Sequence, residues 1–423
     1  MAADRDRAHL ADGVDVSVVI ATRDRRTLLA RTLRSFTCLM RAPDFEVPDF
    51  DVIVADHGST DGTGELIAEY ARLLPLRRVA VPFRGESIAE PKNAGAQSAT
   101  GDLLVFVDSG MLCPPGFLAE HVAAHRGRPG HVLAGAVLGW DSSDKSALFW
   151  ETLDLRHLPA EFADPRASRW ADCADTAWML IWGANMSMSR RAFTECGGFD
   201  AGLVGWGWDD LELAYRLALS GYPLGYSPGA WAAHYPHPRA PLGARLASAR
   251  RNWLYAYDKH RAPDLETWDS CDYWDHTACQ RRMRATVTAL HGRLPAPPSR
   301  GGPQDSRGRL LYGFEVPRRP HPADAYVTLP GMTASGDLVS YGLRVPLADQ
   351  ASQIAIVSPA VLAFDWSPSP GWAPIAAGIL REMARVAAVV EISRPLPAGA
   401  GARVRELVSM AGNTALTTMD GGS

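Results

Sequence analysis

The sequence predicts an α/β fold, an open mixed sheet with helices on both faces, followed by a C-terminal extension. Three observations predict it. Apolar, β-branched runs alternate with segments of helical spacing from residue 14 to residue 107, the pattern of a sheet built from strand–helix units. Each run stops at a polar turn. The polar residues gathered there, Thr22, Arg23, Asp24, Asp56, His57 and Asp108, stand at the carboxyl ends of the strands, where such sheets bind ligands.

The elements follow in order. Residues 14–22, VDVSVVIAT, read as a buried parallel strand. Residues 25–39 carry Leu28, Leu29, Leu33 and Phe36 at helical spacing. FDVIVA at 50–55 is a second strand, and Gly62 to Leu74 a helix. A short strand falls at 78–82. Ser87 to Ala99 reads as a helix whose start is limited by Pro91. LLVFV at 103–107 is the next strand. Residues 141–182, polar, irregular and rich in Trp and acids, read as a long insertion over a site. Residues 183–228 return to a compact α/β pattern, and 243–260 read as a helix carrying Arg245, Arg250 and Arg251. The chain then divides into a domain at 1–240, with halves at 14–112 and 131–240, and a helical extension at 241–293. A Pro/Gly-rich linker at 294–323 leads to a C-terminal region at 324–423. The best helix of that region is 373–388, and no function is legible in it.

Bulk properties narrow the partners. A chain of 423 residues suits roughly two to three domains. Hydrophobic content of 47% with 21% charge is ordinary for a soluble globular protein. The formal net charge of −4 gives no electrostatic case for nucleic acid or an anionic membrane surface. The opening MAADRDRAHLADG lacks the apolar core of a signal peptide. No run reaches the roughly 18 apolar residues that a membrane span needs. Six cysteines (Cys38, Cys113, Cys173, Cys196, Cys271 and Cys279) are scattered without a Cys-x-x-Cys pair, which fits reduced thiols and a cytoplasmic location.

Several motifs carry chemistry. Asp56-His57-Gly58-Ser59-Thr60-Asp61-Gly62 follows the second strand. Asp56 can accept hydrogen bonds from a base or ribose there, while Asp61 reads as a helix cap. In SIAEPKNAG, Lys92 can meet a diphosphate as a point charge beside the amide of Asn93; taken alone, Lys92 reads as a solvated helix residue. LLVFV ends in Asp108-Ser109-Gly110. A carboxylate at the end of a buried strand is costly unless paired, hydrogen-bonded or on a metal. A divalent cation bridging Asp108 to a nucleotide diphosphate would explain it. Asn185 is either a donor to sugar or phosphate or an Asn bonding its own turn. His234 and His237 are either structural or ligands of the same cation. Gly205-Trp206-Gly207-Trp208-Asp209-Asp210-Leu211-Glu212 sets two adjacent carboxylates behind two tryptophans, just before an apolar helical pattern. Trp206 and Trp208 can stack on a sugar-like ring; core packing claims one of the two. Acids in the insertion, Asp175 among them, can attract a cationic acceptor, although most read as a solvated loop.

As an ordered set these motifs resemble the inverting glycosyltransferases of family 2 with the GT-A fold, over roughly residues 14–240. VSVVIATRDR resembles the family's first strand, VIVADHGSTDGT its second-strand motif, and FVDSG with PPGFL its Asp-x-Asp motif. GANMSMSRRAFTECGGFD and GWGWDDLELAYRL resemble a galactosyltransferase-like C-terminal module. The resemblance implies a nucleotide-binding half at 14–112, an acceptor half at 131–240 and Asp210 as general base. Asp209 would orient the acceptor, Asp56 would meet uracil or ribose, and Asp108 with His234 or His237 would hold the metal. It implies transfer of a hexose from a UDP-sugar, with glucose expected, aided by Mg²⁺ or Mn²⁺. The acceptor expected is a small polar molecule, an aminocyclitol-type natural product, with a peptide as the alternative. Two positions depart from the pattern. The last Asp of Asp-x-Asp is Gly110, and the second Asp of the second-strand motif is His57. The first weakens the metal site; the second puts the uracil contact in question. A non-catalytic sugar-binding scaffold is the reading that Gly110 would favour.

Overall fold

The computed structural model describes residues 15–42, 47–128, 130–139, 149–150, 153–157, 162–171, 173 and 176–269, and beyond them 280–281, 283–285, 288, 309–312, 324–328, 338–339, 345, 351–358, 373–392 and 416–418. The chain forms two compact units, Met1–Tyr255 and Ala256–Ser423.

The first unit is built on an eight-stranded sheet. Its strands are β1 (Val16–Thr22), β2 (Phe50–Asp56), β3 (Leu76–Ala80), β4 (Leu103–Val107), β5 (Met111–Leu112), β6 (Val132–Leu138), β7 (Asn185–Ser189) and β8 (Leu224–His234), in the order β3-β2-β1-β4-β7-β6-β8-β5. β3, β2, β1 and β4 are parallel. β7 runs antiparallel between β4 and β6, and β5 antiparallel to β8. The sheet is therefore mixed, as the sequence predicts. β1, β4, β6 and β7 are buried almost throughout, which is why their apolar runs are so nearly continuous. β3 begins two residues before its predicted position. It is an edge strand whose Arg77 and Arg78 pair with Asp51 and Asp56, and charge on an edge breaks the apolar signal.

The helices obey the spacing read from the sequence. α1 (Arg26–Met40) buries Leu29, Leu33, Phe36 and Leu39. α2 (Thr63–Tyr70) is shorter than predicted. α3 (Ala89–Ser98) carries Pro91 in its first turn, where a missing N–H is tolerated. It lies close on β1: a Cβ on Gly95 would stand 2.6 Å from Cγ1 of Val19. α4 (Phe117–Gly127), α5 (Arg190–Glu195), α6 (Asp209–Leu219) and α7 (Leu242–His260) complete the list used below.

The predicted insertion at 141–182 is corrected where it is described. Trp150, Phe162, Trp178, Leu180 and Trp182 are buried, so this stretch supplies core. A buried ion pair sits in it. Arg166 meets Asp164 at 2.7 Å and also donates to the carbonyls of Leu180 and Gly135. Asp164 in turn accepts from the Val137 amide. Full hydrogen bonding of both partners is what makes such burial tolerable. Asp154 is exposed and pairs with Arg156. Asp141, Asp144, Asp172 and the acceptor candidate Asp175 lie outside the described residues.

The second unit contains a six-stranded, all-parallel sheet: β9 (Arg309–Tyr312), β10 (Asp324–Thr328), β11 (Leu338–Val339), β12 (Ser352–Val357), β13 (Ala387–Ile392) and β14 (Leu416–Thr418). Their order is β11-β10-β9-β12-β13-β14. α8 (Ala373–Val386) falls where the best C-terminal helix is predicted. The predicted linker at 294–323 is overturned at 309–312, because β9 pairs with both β10 and β12 and buries Leu310, Leu311 and Tyr312. No helix among the described residues is long and apolar enough to cross a membrane.

Candidate active site

The carboxyl ends of β1 and β2 are tied into one loop system. Asp24, at φ 46°, accepts from the Thr60 amide at 2.7 Å, while its own N–H donates to Ser59 Oγ. Asp61 stands one residue ahead of the α2 cap, Gly62, and accepts from the backbone amides of Arg26 and Thr63. The Arg23 guanidinium lies over the ring of Phe83, 3.3 Å from its centroid, and His57 meets the same ring edge-on. Phe83 is partly exposed and was missed by sequence reasoning. The signal available was an isolated aromatic in the polar loop Pro82-Phe83-Arg84-Gly85.

Several predicted ligand contacts are instead structural. Asp56 is fully buried; its carboxylate accepts from the Ser59 amide at 3.0 Å and from Arg78 at 2.5 Å. It shapes the loop and does not present a free carboxylate to a base. Thr22 is buried and its carbonyl accepts from the His57 amide. His57 is buried too, 3.5 Å from Glu90. Ser109 donates to the Ala21 carbonyl. The Asn93 side chain both donates to and accepts from the Phe199 backbone, at 2.8 and 2.9 Å. Asn185 is fully buried and donates to the carbonyls of Ala136 and Ala230, joining β7 to β6 and β8. The side chains of Asp56, Ser109, Asn93 and Asn185 are hydrogen-bonded to protein partners, whereas Thr22 Oγ1 and His57 Nε2 are buried without a hydrogen bond among the described residues.

The acidic run behaves as a unit. Trp208 is buried at φ 76°, a left-handed conformation that costs a non-glycine residue about 1–3 kcal/mol and persists only where packing imposes it. It turns the chain so that Asp209 and Asp210 open α6, where acidic residues suit the helix dipole. Trp208 is therefore the one of the two tryptophans that core packing claims. Trp206 is exposed, with the Arg245 guanidinium 5.3 Å from its ring. α7 fixes this loop: Ser248 accepts from the Trp206 amide, and Asn252 donates to the Gly207 carbonyl. Glu212 is held by Arg216 at 2.7 Å.

Asp209 and Asp210 have different surroundings. Asp210 accepts from the Gly183 amide at 2.8 Å and from its neighbour's amide at Leu211. Burial, and then the charge of Asp209, push its pKa up to about 7, against the opposing pull of Lys92 and the two amides. Asp209 lies 3.3 Å from Nζ of Lys92, which is buried and also 3.7 Å from Asp108. Burial by itself would lower the lysine pKa, but Asp209, Asp108 and Asp210 together hold it above the ordinary value. Asp108 is half exposed at the end of β4.

His234 closes β8 opposite Met111, and the Tyr235 amide donates to the Gly110 carbonyl. This brings His234 beside the Asp108-Ser109-Gly110 turn, with the His237 ring 5.2 Å from its own. Burial lowers the His234 pKa to about 4, assisted by Arg239 and His237, and burial also lowers that of His237. Both are thus neutral imidazoles, the form that ligates metal. Among the described residues, no group of three or more His, Cys, Asp or Glu could hold an ion by itself. Asp108 with one or both histidines fits a hard cation that completes its shell with diphosphate oxygens and water.

Residues 17–193 match the model described as glycosyl transferase family 2. Over that span the first unit is similar to family 2 glycosyltransferases. Residues 174–238, which include Asp209 and Asp210, match the model described as the N-terminal domain of galactosyltransferase. The mixed sheet agrees with the fold that the sequence resemblance implies. Two proteins named validoxylamine A glucosyltransferase, from Streptomyces hygroscopicus subsp. limoneus and subsp. jinggangensis, are each 33% identical over 246 residues, 53% of this chain and 52% and 56% of theirs. The chain thus spans about half the length of these relatives. Among solved structures, a mannosyltransferase from Pyrobaculum calidifontis in complex with GDP-Man and Mn²⁺ is similar at TM-score 0.46 and 20% identity, covering 67% of this chain and 77% of that one. Glucosyl-3-phosphoglycerate synthase from Mycobacterium tuberculosis is similar at TM-score 0.40 and 19% identity, covering 61% and 84%.

Proposed function

We propose that the protein transfers a hexose, glucose, from UDP-glucose to a hydroxyl of a small polar acceptor of the aminocyclitol type, with inversion, in antibiotic biosynthesis. The observation that carries this is the pair Asp209–Asp210 at the head of α6, linked through Lys92 to Asp108 at the end of β4. One end of that link suits a nucleotide sugar and the other a hydroxyl to be deprotonated. The two relatives named validoxylamine A glucosyltransferase support the donor and the acceptor class.

In this reading Asp210 takes the acceptor proton as the acceptor oxygen forms its bond to the anomeric carbon. The bond from that carbon to the diphosphate oxygen breaks on the opposite face, and its electron pair leaves with UDP. A base with a pKa near the working pH is well matched to this step. Arg23 and Phe83 offer a flat surface where the uracil would lie, and Trp206 offers one to the acceptor. Asp108 with His234 or His237 would hold Mg²⁺ or Mn²⁺, which when bound would neutralise charge on the diphosphate. We place the reaction in the cytoplasm, supported by Cys38, Cys113 and Cys196, which form no disulfide among the described residues.

The test is a donor screen. UDP-glucose, UDP-galactose, UDP-N-acetylglucosamine and GDP-mannose are each incubated with the protein and an aminocyclitol, with Mg²⁺, Mn²⁺ or EDTA. The expected result is glucosylated product and UDP from UDP-glucose only, lost in Asp210→Asn while calorimetric UDP binding persists. Turnover unchanged in Asp210→Asn would remove Asp210 as the base. UDP binding without transfer under any condition would leave a scaffold.

A further inference from the structure

We propose that Lys92 is a positioning residue that holds Asp209, and through it the proton-accepting pair, rather than a ligand of the donor diphosphate. The inference rests on the reading of Asp210 as the base. The lysine side chain is almost fully enclosed. Its ammonium is 3.3 Å from Asp209 Oδ2 and 3.7 Å from Asp108 Oδ1, and lies 5.0 Å from the centroid of the Phe199 ring. The fourth side is the bare face of Gly183, where a Cβ would stand 2.8 Å from Nζ. A phosphate would have to displace one of these neighbours to reach the charge. Asp108, half exposed, is the open end of the cluster.

The backbone beneath Lys92 is anchored by the residue beside it. Asn93 exchanges two hydrogen bonds with the Phe199 backbone. Gly198 makes room for that clamp, since a Cβ there would lie 2.7 Å from Asn93 Oδ1. The two adjacent residues therefore divide the work. Asn93 locks α3 to the loop ahead of α6, and Lys92 delivers a fixed cation to the first carboxylate of α6. The charged groups facing Asp210 are Asp209 and Lys92, and the backbone amides of Gly183 and Leu211 complete its surroundings. A cation pinned on Asp209 holds that carboxylate in place. Asp210 is left free to exchange a proton.

The test compares Lys92→Met, Lys92→Arg, Asp209→Asn and the double variant Lys92→Met with Asp209→Asn, all in the full chain. Melting curves check folding, calorimetry measures UDP binding, and kcat/KM is followed against pH. For Lys92→Met the acid limb of the profile should rise by about one pH unit or more, because an opposing charge at this range lowers a carboxylate pKa by that order. UDP affinity should stay within about threefold, and Lys92→Arg should return the limb most of the way. If Lys92→Met does not fold, the double variant decides, since it removes both buried charges together. Adding Lys92→Met to Asp209→Asn should then cost less than about threefold in kcat, as expected for coupled residues. A tenfold or greater loss of UDP affinity with an unmoved acid limb would overturn the proposal and make Lys92 a diphosphate contact. Failure of the base reading is separate: it would show as turnover retained in Asp210→Asn, whatever Lys92 does.

Discussion

The backbone amide of Gly183 donates a 2.8 Å hydrogen bond to Oδ2 of Asp210, and the absence of a side chain at 183 makes the approach possible. A Cβ there would stand 2.8 Å from Lys92 Nζ and 3.3 Å from Asp210 Cβ. The lysine tip is flexible in principle, but here it is held by two carboxylates. Gly183→Ala should therefore fold and yet misplace the cluster. A displacement of a few tenths of an ångström at the reacting groups should cost roughly tenfold or more in kcat. Parallel measurement of Tm and kcat checks this; unchanged kcat would show that the contact is not tight in solution.

The raised pKa of Asp210 has two consequences of opposite sign. Activity needs the carboxylate, so kcat/KM should fall as pH drops through about 7, about tenfold per unit below it. Stability runs the other way. The folded state holds the proton to higher pH than the unfolded state, so this group's contribution is fully present below the unfolded carboxylate value and is lost as pH rises through about 7. Asp210→Asn should thus lose about 10²–10⁴-fold in kcat with Tm at pH 8 no lower than the parent. A variant that melts well below the parent at pH 8 would mean that Asp210 is stabilising when ionised.

What the sequence disclosed, and what it hid, divides along a physical line. β1, β2 and β4 were legible because buried strands leave dense apolar runs. Asp108 and the Asp209-Asp210 pair were legible because carboxylates beside such runs are costly without a purpose. β9 was hidden: Leu310, Leu311 and Tyr312 form a short apolar run between basic and glycine-rich stretches. The backbone partners of Asp56, Asn93, Ser109 and Asn185 were not legible for a different reason. A polar residue at a strand end or helix start looks the same whether it faces a cleft or a neighbouring backbone. Its partner can be remote in sequence: Phe199 is 106 residues from Asn93 and Ala21 is 88 from Ser109. Gly183 and Phe83 were missed because their role is in the space they leave or the face they show.

Gly110 sits where the family pattern has its metal-binding Asp, and the backbone there suits glycine. Its φ is +102°, its N–H donates to Thr32 Oγ1 and its carbonyl accepts from Tyr235. Space is not the obstacle, since a Cβ would meet only Leu28 at 3.5 Å; the backbone angle is. Gly110→Asp should destabilise the fold by about 1–2 kcal/mol without tightening Mn²⁺ binding in the presence of UDP. Calorimetric titration with Mn²⁺ reads the outcome, and a tenfold gain in affinity would show that the turn adapts.

Beneath the sheet, four side chains form a hydrogen-bond chain whose proton positions can be deduced. Asn185 uses its amide N–H groups on Ala136 and Ala230, so its Oδ1 must accept from His121 Nε2, at 3.0 Å. His121 Nδ1 then bears no proton and accepts from the Ser187 hydroxyl at 2.8 Å. The Ser187 oxygen is left to accept from His125 Nε2, also at 2.8 Å. The chain closes only with His121 neutral. A proton added to His121 would set two N–H groups against the serine oxygen and strand its hydroxyl. Burial lowers His121 to about 4 and His125 to about 3, the latter also through repulsion by His121 and His131. The unfolded chain takes up these protons first, near the ordinary histidine value of about 6.5. Stability should therefore be full above that value and fall as pH drops through it toward 4. Ser187→Ala should lower Tm at pH 8, because it leaves buried ring nitrogens unsatisfied at about 1–3 kcal/mol. Tm measured from pH 8 to pH 5 tests the chain, and a profile flat to pH 5 would mean that the histidines are already protonated or open to water in the folded state.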